Sequence, residues 1–144
     1  MKKFFTAIWI ICVFFCACSK QKSDGNQAVN DGHNSRDSLD WAGVYSGLVP
    51  AKGGQKLIIK IELKYDNSYA LFYKDSENGE AFTEQTGVFS WTEDGGTIKL
   101  DIDSDISPYY KVIENAVIQL DRDGGPLKGH ETESYVLRRQ RDQA

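Results

Sequence analysis

Apolar and polar side chains alternate over residues 57–64, which gives the clearest structural signal in the chain. The apolar positions are Leu57, Ile59, Ile61 and Leu63. The positions between them are mostly charged, as at Lys60, Glu62 and Lys64. A period of two residues is typical of a β-strand, because successive side chains point to opposite faces. The stretch therefore predicts a strand with one buried and one solvated face.

The same period returns along the chain after Trp41, and turn residues separate the repeats. The predicted strands cover residues 43–49, 57–64, 68–74, 82–92, 97–100, 109–113, 116–120 and 135–137. Short connections such as Asp66-Asn67 favour antiparallel neighbours. No segment of helical length after Trp41 keeps the 3.6-residue period of an α-helix. Gly87, inside the fourth predicted strand, indicates a bulge or bend.

These elements predict an all-β fold, a small antiparallel meander β-barrel of about eight short strands. We expect the meander to close because closure removes the two unpaired edge strands. With strands this short, side chains are expected to fill most of the interior. A hollow barrel that holds a ligand is the alternative.

The first 18 residues have a different pattern, a basic start followed by one apolar run. Lys2 and Lys3 precede a nearly continuous apolar run from Phe4 to Phe15. Even when the run is extended to Cys18, its 15 residues would span roughly 22 Å as a helix. This length is too short for a hydrocarbon core of about 30 Å. The basic start, the short apolar run and the small residue after it are typical of a secretory signal peptide.

Cys18 resembles the lipid-attachment cysteine of bacterial lipoproteins. We expect signal peptidase to cut between Ala17 and Cys18, although Phe15 stands where such signals usually carry Leu. The predicted segments are a signal peptide at residues 1–17, a lipidated Cys with a flexible tether at 18–40, and a barrel domain at 41–144. The alternatives are a signal peptide without lipid and an uncut anchor.

The composition of residues 19–40 predicts a disordered tether. The segment contains no aromatic residue, and Val29 and Leu39 are its only large aliphatic side chains. It cannot bury enough apolar surface to offset the loss of chain entropy. The chain carries a formal net charge of −4, which becomes more negative when Lys2 and Lys3 leave with the signal peptide. The absence of a basic block argues against a nucleic-acid partner.

The predicted barrel domain offers no residue set typical of a metal site or a catalytic centre. The cysteines are Cys12, Cys16 and Cys18, so none lies in the barrel to bind a soft metal. His33 and His130 lie on separate polar segments. Residues 101–105 match the opening of a calcium loop, but Ile106 and Val112 occupy its glycine and final-ligand positions. No nucleophile-and-base motif occurs, and we predict no metal, cofactor or catalytic residue.

Five stretches of the chain, taken in order, carry a family resemblance. They are Gly43–Pro50, Thr86–Trp91, Tyr110–Val112, Ile118–Asp121 with Gly124 after it, and Tyr135–Leu137. In this series the sequence resembles the amino-terminal domain of the NlpE family, the copper-resistance and envelope-stress lipoproteins of Gram-negative bacteria. The resemblance implies a small lipocalin-like barrel that is anchored to the outer membrane.

One segment departs from the pattern of that family. After the proline that ends the first strand, the family typically carries Cys-x-x-Cys, whereas Pro50 is followed here by Ala51, Lys52, Gly53 and Gly54. Because the thiol pair is absent, the copper and redox chemistry of the family does not carry over. By analogy with the family, we interpret the loop formed by Pro50, Lys52, Gly53 and Gly54 as a contact for a partner protein of the envelope.

The sequence therefore predicts a non-enzymatic lipoprotein of the cell envelope, an interaction or stress-sensing module. The lipid on Cys18 would hold it to the outer membrane, with the barrel facing the periplasm. Ser19 favours outer-membrane sorting, because it is not the aspartate that retains lipoproteins in the inner membrane. The alternative is a small lipocalin-like carrier of an apolar ligand, which requires a cavity in the barrel.

Overall fold

The computed structural model describes residues 34–129 and 131–141, which form one closed antiparallel β-barrel. Each strand pairs with its neighbours in sequence, and the last strand pairs with the first. The strands are β1 (Gly43–Pro50), β2 (Lys56–Leu63), β3 (Ser68–Asp75), β4 (Thr83–Trp91), β5 (Thr97–Leu100), β6 (Tyr109–Ile113), β7 (Ala116–Gln119) and β8 (Val136–Arg139). The predicted all-β meander barrel is confirmed.

Helical structure within the described residues is limited to single turns. The α-helical turn α1 spans Ser35–Ser38, and two 3₁₀ turns span Lys52–Gly54 and Thr132–Tyr135. Among the residues described, no helix has the length and apolar character needed to cross a membrane.

The core of the barrel is formed by alternate residues of each strand. In β2, Ile59, Ile61 and Leu63 are at most 1% exposed, so the alternation predicted for this strand is confirmed. The other side chains that are almost completely buried are Tyr45, Val49, Leu71, Ile98, Leu100, Tyr110, Val112, Val117 and Leu137. These residues come from the six strands β1, β3, β5, β6, β7 and β8, and together they fill the middle of the barrel.

A short contact between β1 and β8 closes the barrel. The paired residues are Tyr45 with Arg139 and Ser46 with Arg138. On its other side, β1 pairs with β2 along all of its residues. Gly47 follows the closing pairs on β1, and a Cβ there would lie 2.7 Å from the carbonyl oxygen of Val136 on β8. The missing side chain lets the two backbones approach closely enough to pair.

Residues 34–42 cover one end of the barrel, which we call the closed end. The hydroxyl of Ser35 donates to the carbonyl of Val112 at 2.9 Å, and the backbone N–H of Arg36 donates to that of Gly95 at 3.1 Å. The indole of Trp41 is 7% exposed and donates to the carbonyl of Arg36. Its ring makes edge-to-face contacts with the rings of Tyr65, Phe89 and Trp91.

Asp40 and Arg139 fasten this segment to the end of β8. The Arg139 guanidinium donates to the carbonyls of Asp40 at 2.6 Å and of Ala42 at 2.7 Å, and it pairs with the Asp40 carboxylate at 3.2 Å. The same carboxylate accepts a hydrogen bond from the hydroxyl of Tyr65. That hydrogen bond and the positive charge of Arg139 hold the pKa of Asp40 below its ordinary value.

The order before Trp41 differs from the expected disorder over residues 19–40. Residues 34–40 make one helical turn, in which the Asn34 side chain accepts from the backbone N–H of Asp37 at 3.1 Å. Composition misses this segment because hydrogen bonds from polar groups, and little apolar burial, attach it to the barrel. Residues 18–33 of the predicted tether lie outside the described residues.

We predict that Gly47→Ala lowers the free energy of unfolding by about 1–3 kcal/mol, the usual cost of overpacking. The added methyl group would press on backbone atoms of β8, which cannot move aside as the end of a flexible side chain could. Urea denaturation followed by tryptophan fluorescence measures the change.

Gly96→Ala is the matched control, because a Cβ there would lie no closer than 3.7 Å to another group and the backbone φ is not positive. We expect it to change stability by less than about 0.5 kcal/mol, or to stabilise slightly. Equal effects of the two substitutions would contradict the close β1–β8 contact.

Candidate binding site at the open end of the barrel

The barrel end opposite α1 contains a cavity of approximately 950 Å³. Because the strands alternate in direction, the connections after β1, β3, β5 and β7 all meet at this end. Three of these connections contribute to the cavity wall, at residues 50–55, 103–107 and 121–128. The strand residues that line the cavity near this end of the barrel are Val49, Leu57, Tyr73, Gln85 and Gln119. We call this region the mouth cavity.

The strands leave the mouth cavity open because β4 extends beyond its neighbour β5. Only Phe89, Ser90 and Trp91 of β4 pair with β5. One further backbone bond, from Asp101 N–H to the Val88 carbonyl at 2.9 Å, continues the contact. Residues 83–87 pair with β3 alone. The barrel wall therefore splits at this point, between β4 and the connection that follows β5.

Gln119 forms the polar floor of the mouth cavity, and its side chain contacts the buried hydroxyl of Tyr110. The Tyr110 side chain is fully buried, and burial raises the pKa of its hydroxyl, which stays neutral. The carboxamide nitrogen of Gln119 donates to that hydroxyl at 3.5 Å, the outer limit of a hydrogen bond. Gln119 itself is 7% exposed. The floor is thus polar but uncharged.

Tyr69 and Gly87 hold the wall beside the split. The hydroxyl of Tyr69 donates to the carbonyl of Asp101 at 2.8 Å, and its ring crosses over Gly87. A Cβ at Gly87 would lie 3.0 Å from the Tyr69 ring. The predicted bulge at Gly87 is wrong, because β3 and β4 pair without interruption through this residue. The glycine makes room for the tyrosine.

Half of the charged side chains on the rim of the mouth cavity are already engaged. The Arg122 guanidinium donates to the Ser104 carbonyl and lies 3.6 Å from the Asp105 carboxylate. The Asp121 carboxylate accepts from backbone N–H groups that follow it in its own turn, at 2.7 and 2.9 Å. Lys52 and Lys128 also line the cavity. Neither takes part in any ion pair among residues 34–129 and 131–141.

The loop that the sequence singled out lies on this rim. Pro50 ends β1, and Lys52, Gly53 and Gly54 form the 3₁₀ turn after it. Pro50 and Lys52 line the mouth cavity. Gly53 and Gly54 have left-handed backbone angles, with φ values of 76° and 80°. The other predicted site residues, Ala17 and Cys18, lie outside the described part of the chain.

Sequence reasoning missed the contribution of the two long connections to the site. Ile106, read only as a mismatch in a calcium motif, is 6% exposed and lines the cavity together with Leu127. Isolated apolar residues in polar loops were the available signal. Within the described residues, no three His, Cys, Asp or Glu side chains lie together as metal ligands would. His130 lies outside the described residues.

These features define a small closed β-barrel with one packed end and one hollow end. The sequence model of the NlpE N-terminal domain matches residues 45–130, more than half of the chain. The chain therefore belongs to the NlpE N-terminal domain family, and the resemblance drawn from the sequence is confirmed.

The solved structures that are similar to this chain include a lipoprotein and an NlpE protein. A candidate lipoprotein from Shewanella oneidensis is 31% identical with a TM-score of 0.66, and the match covers 74% of this chain and 95% of that one. NlpE from Escherichia coli, described as the Cpx pathway activator, is 18% identical with a TM-score of 0.46. That match covers 62% of this chain and 47% of that one. No curated protein sequence matches the chain.

We predict that Tyr69→Phe lowers the free energy of unfolding by about 1 kcal/mol, because it removes the hydrogen bond to Asp101. Hydrogen exchange at the amides of residues 101–107 should become faster in this variant, since the connection loses its attachment to the wall. Chemical denaturation and exchange measured by mass spectrometry test the two effects.

Tyr73→Phe is the control, because Tyr73 lies on the same strand as Tyr69 but has no hydrogen-bond partner for its hydroxyl within the described part of the chain. We expect its stability and its exchange at residues 101–107 to match those of the unchanged protein. A Tyr69→Phe variant that behaves like the control would remove the role assigned to this hydrogen bond.

Proposed function

We propose that this protein is an outer-membrane lipoprotein whose barrel is a non-enzymatic interaction and stress-sensing module. Membership of the NlpE N-terminal domain family supports a place in the cell envelope. The signal sequence that ends at Ala17 and the adjacent Cys18 support attachment through a lipid. The membrane is then one partner of the protein, and an envelope protein is the other.

The observation that carries this proposal is the opposite placement of the chain entry and the mouth cavity. Asn34, where the described chain begins, lies against Gly95 at the closed end. The chain that follows the lipid on Cys18 would therefore enter the barrel domain at its closed end. The mouth cavity and the loop at Pro50–Gly54 lie at the other end, where a partner in the periplasm can reach them.

Copper binding is not part of the proposal. Cu(I) prefers thiolate and thioether ligands, and residues 19–144 contain neither cysteine nor methionine. Where the family typically carries its cysteine pair, this chain has small residues and Lys52. A sensing role would therefore depend on the anchor and on contacts of the barrel.

A second candidate function is that of a small lipocalin-like carrier. The observation that favours it is the mouth cavity, whose volume lies within the usual range of roughly 300–1,000 Å³ for ligand sites. The expectation of a mostly filled interior applies to the middle of the barrel, and the open end leaves room for a small molecule.

We predict that Cys18→Ala abolishes labelling of the protein by a palmitate analogue in a Gram-negative host. The uncut precursor should accumulate, because the lipid-dependent signal peptidase needs an acylated cysteine. The unchanged protein should carry the label and fractionate with the outer membrane.

Cys16→Ala is the matched control, because it removes a cysteine two residues away that the proposal assigns no lipid. It should keep both the label and the outer-membrane fractionation. Equal labelling of the Cys18→Ala variant and the unchanged protein would refute lipid attachment at this residue.

A further inference from the structure

Part of the wall of the mouth cavity is apolar. Val49, Ile106 and Tyr135 are at most 6% exposed, and Leu57 and Leu127 are half-buried and pack against the core. An apolar body placed against these side chains would be removed from water, which is the main favourable term in such binding.

The inner part of the mouth cavity offers polar groups without charge. Gln85 and Gln119 present carboxamides, and both lie on the strands. The charged residues that line the cavity all lie on the connections, at Lys52, Asp103, Asp105, Asp121, Arg122 and Lys128. A charged group would be costly to bury among the strands, so the charge of any ligand belongs at the rim.

The free charge on the rim is positive. Arg122 pairs with Asp105, and the Asp121 carboxylate is satisfied by its own turn, as described above. The charged side chains that remain are Lys52, Lys128 and Asp103, none of which forms an ion pair within the described residues. Two ammonium groups against one carboxylate favour an anion at the entrance.

We propose that the mouth cavity binds a single-chain amphipathic molecule, with its apolar body inside the barrel and its anionic head group at Lys52 and Lys128. The inference rests on the carrier function proposed above and specifies its ligand class. A carboxylate of a free fatty acid and a phosphate of a single-chain phospholipid share this chemistry. An eight-stranded barrel of this size has room for one such small ligand.

The test uses the chain from Ser19 to Ala144, which contains all the described residues and carries no lipid of its own. The probes are cis-parinaric acid and its methyl ester, which have the same apolar body and differ in the anionic head. The fluorescence increase on binding gives the stoichiometry and the two dissociation constants.

We expect one probe molecule per chain and at least about fivefold tighter binding of the acid than of the ester at low salt. The double variant Lys52→Ala/Lys128→Ala should bind the two probes equally. The matched control is Lys60→Ala/Lys111→Ala, which removes two exposed lysines from strands outside the cavity lining and should keep the preference for the acid.

Competition by decanoate and by lysophosphatidylglycerol shows which head group the rim prefers, and displacement by either one supports the proposal.

Three results would overturn the proposal in different ways. Equal binding of acid and ester by the unchanged protein would refute the assigned role of the lysines while leaving a carrier of apolar molecules in place. No binding of either probe would refute both the ligand class and the carrier function. Displacement of the bound probe by neither competitor would refute the ligand class alone. The lipid anchor at Cys18 is tested separately and is unaffected by these outcomes.

Discussion

The contact between β1 and β8 is the constraint on which the rest of the barrel depends. It consists of two residue pairs, yet it turns a sheet with two free edges into a closed wall. Gly47 allows the backbones to meet, and Arg139 extends the contact to the carbonyls of Asp40 and Ala42. The last strand therefore holds residues 34–42 in place. The same pairing that closes the barrel wall thus also keeps the closed end covered.

The two ends of the barrel differ, because residues 34–42 cover only one of them. At the closed end, Trp41 and its aromatic neighbours fill the space between the strands. At the other end, β5 is shorter than β4, and loops complete the wall where strands do not. The inward positions there include Gln85 and Gln119, whose polar side chains do not complete an apolar core. A packed end next to the chain entry and a hollow end facing away suit a module held by a tether.

The strands could be predicted from the sequence because their signal is local. Alternation at Ile59 and Ile61 identifies a buried face without knowledge of the neighbouring strands. The mouth cavity could be predicted only in part, through the loop at Lys52. Ile106 and Tyr135 line it from long connections, and the order of residues 34–40 comes from hydrogen bonds to distant strands. Such features depend on contacts between residues far apart in the chain, which the hydrophobic periodicity of the sequence does not reveal.

The closed barrel is tested most directly by nuclear Overhauser effects between β1 and β8 in the chain from Ser19 to Ala144. We expect backbone contacts between Tyr45 and Arg139 and between Ser46 and Arg138, with slow amide exchange in both strands. A folded sample that shows the β1–β2 contacts but none between β1 and β8 would contradict it. The sheet would then be open, and neither the covered end nor the mouth cavity would exist as described.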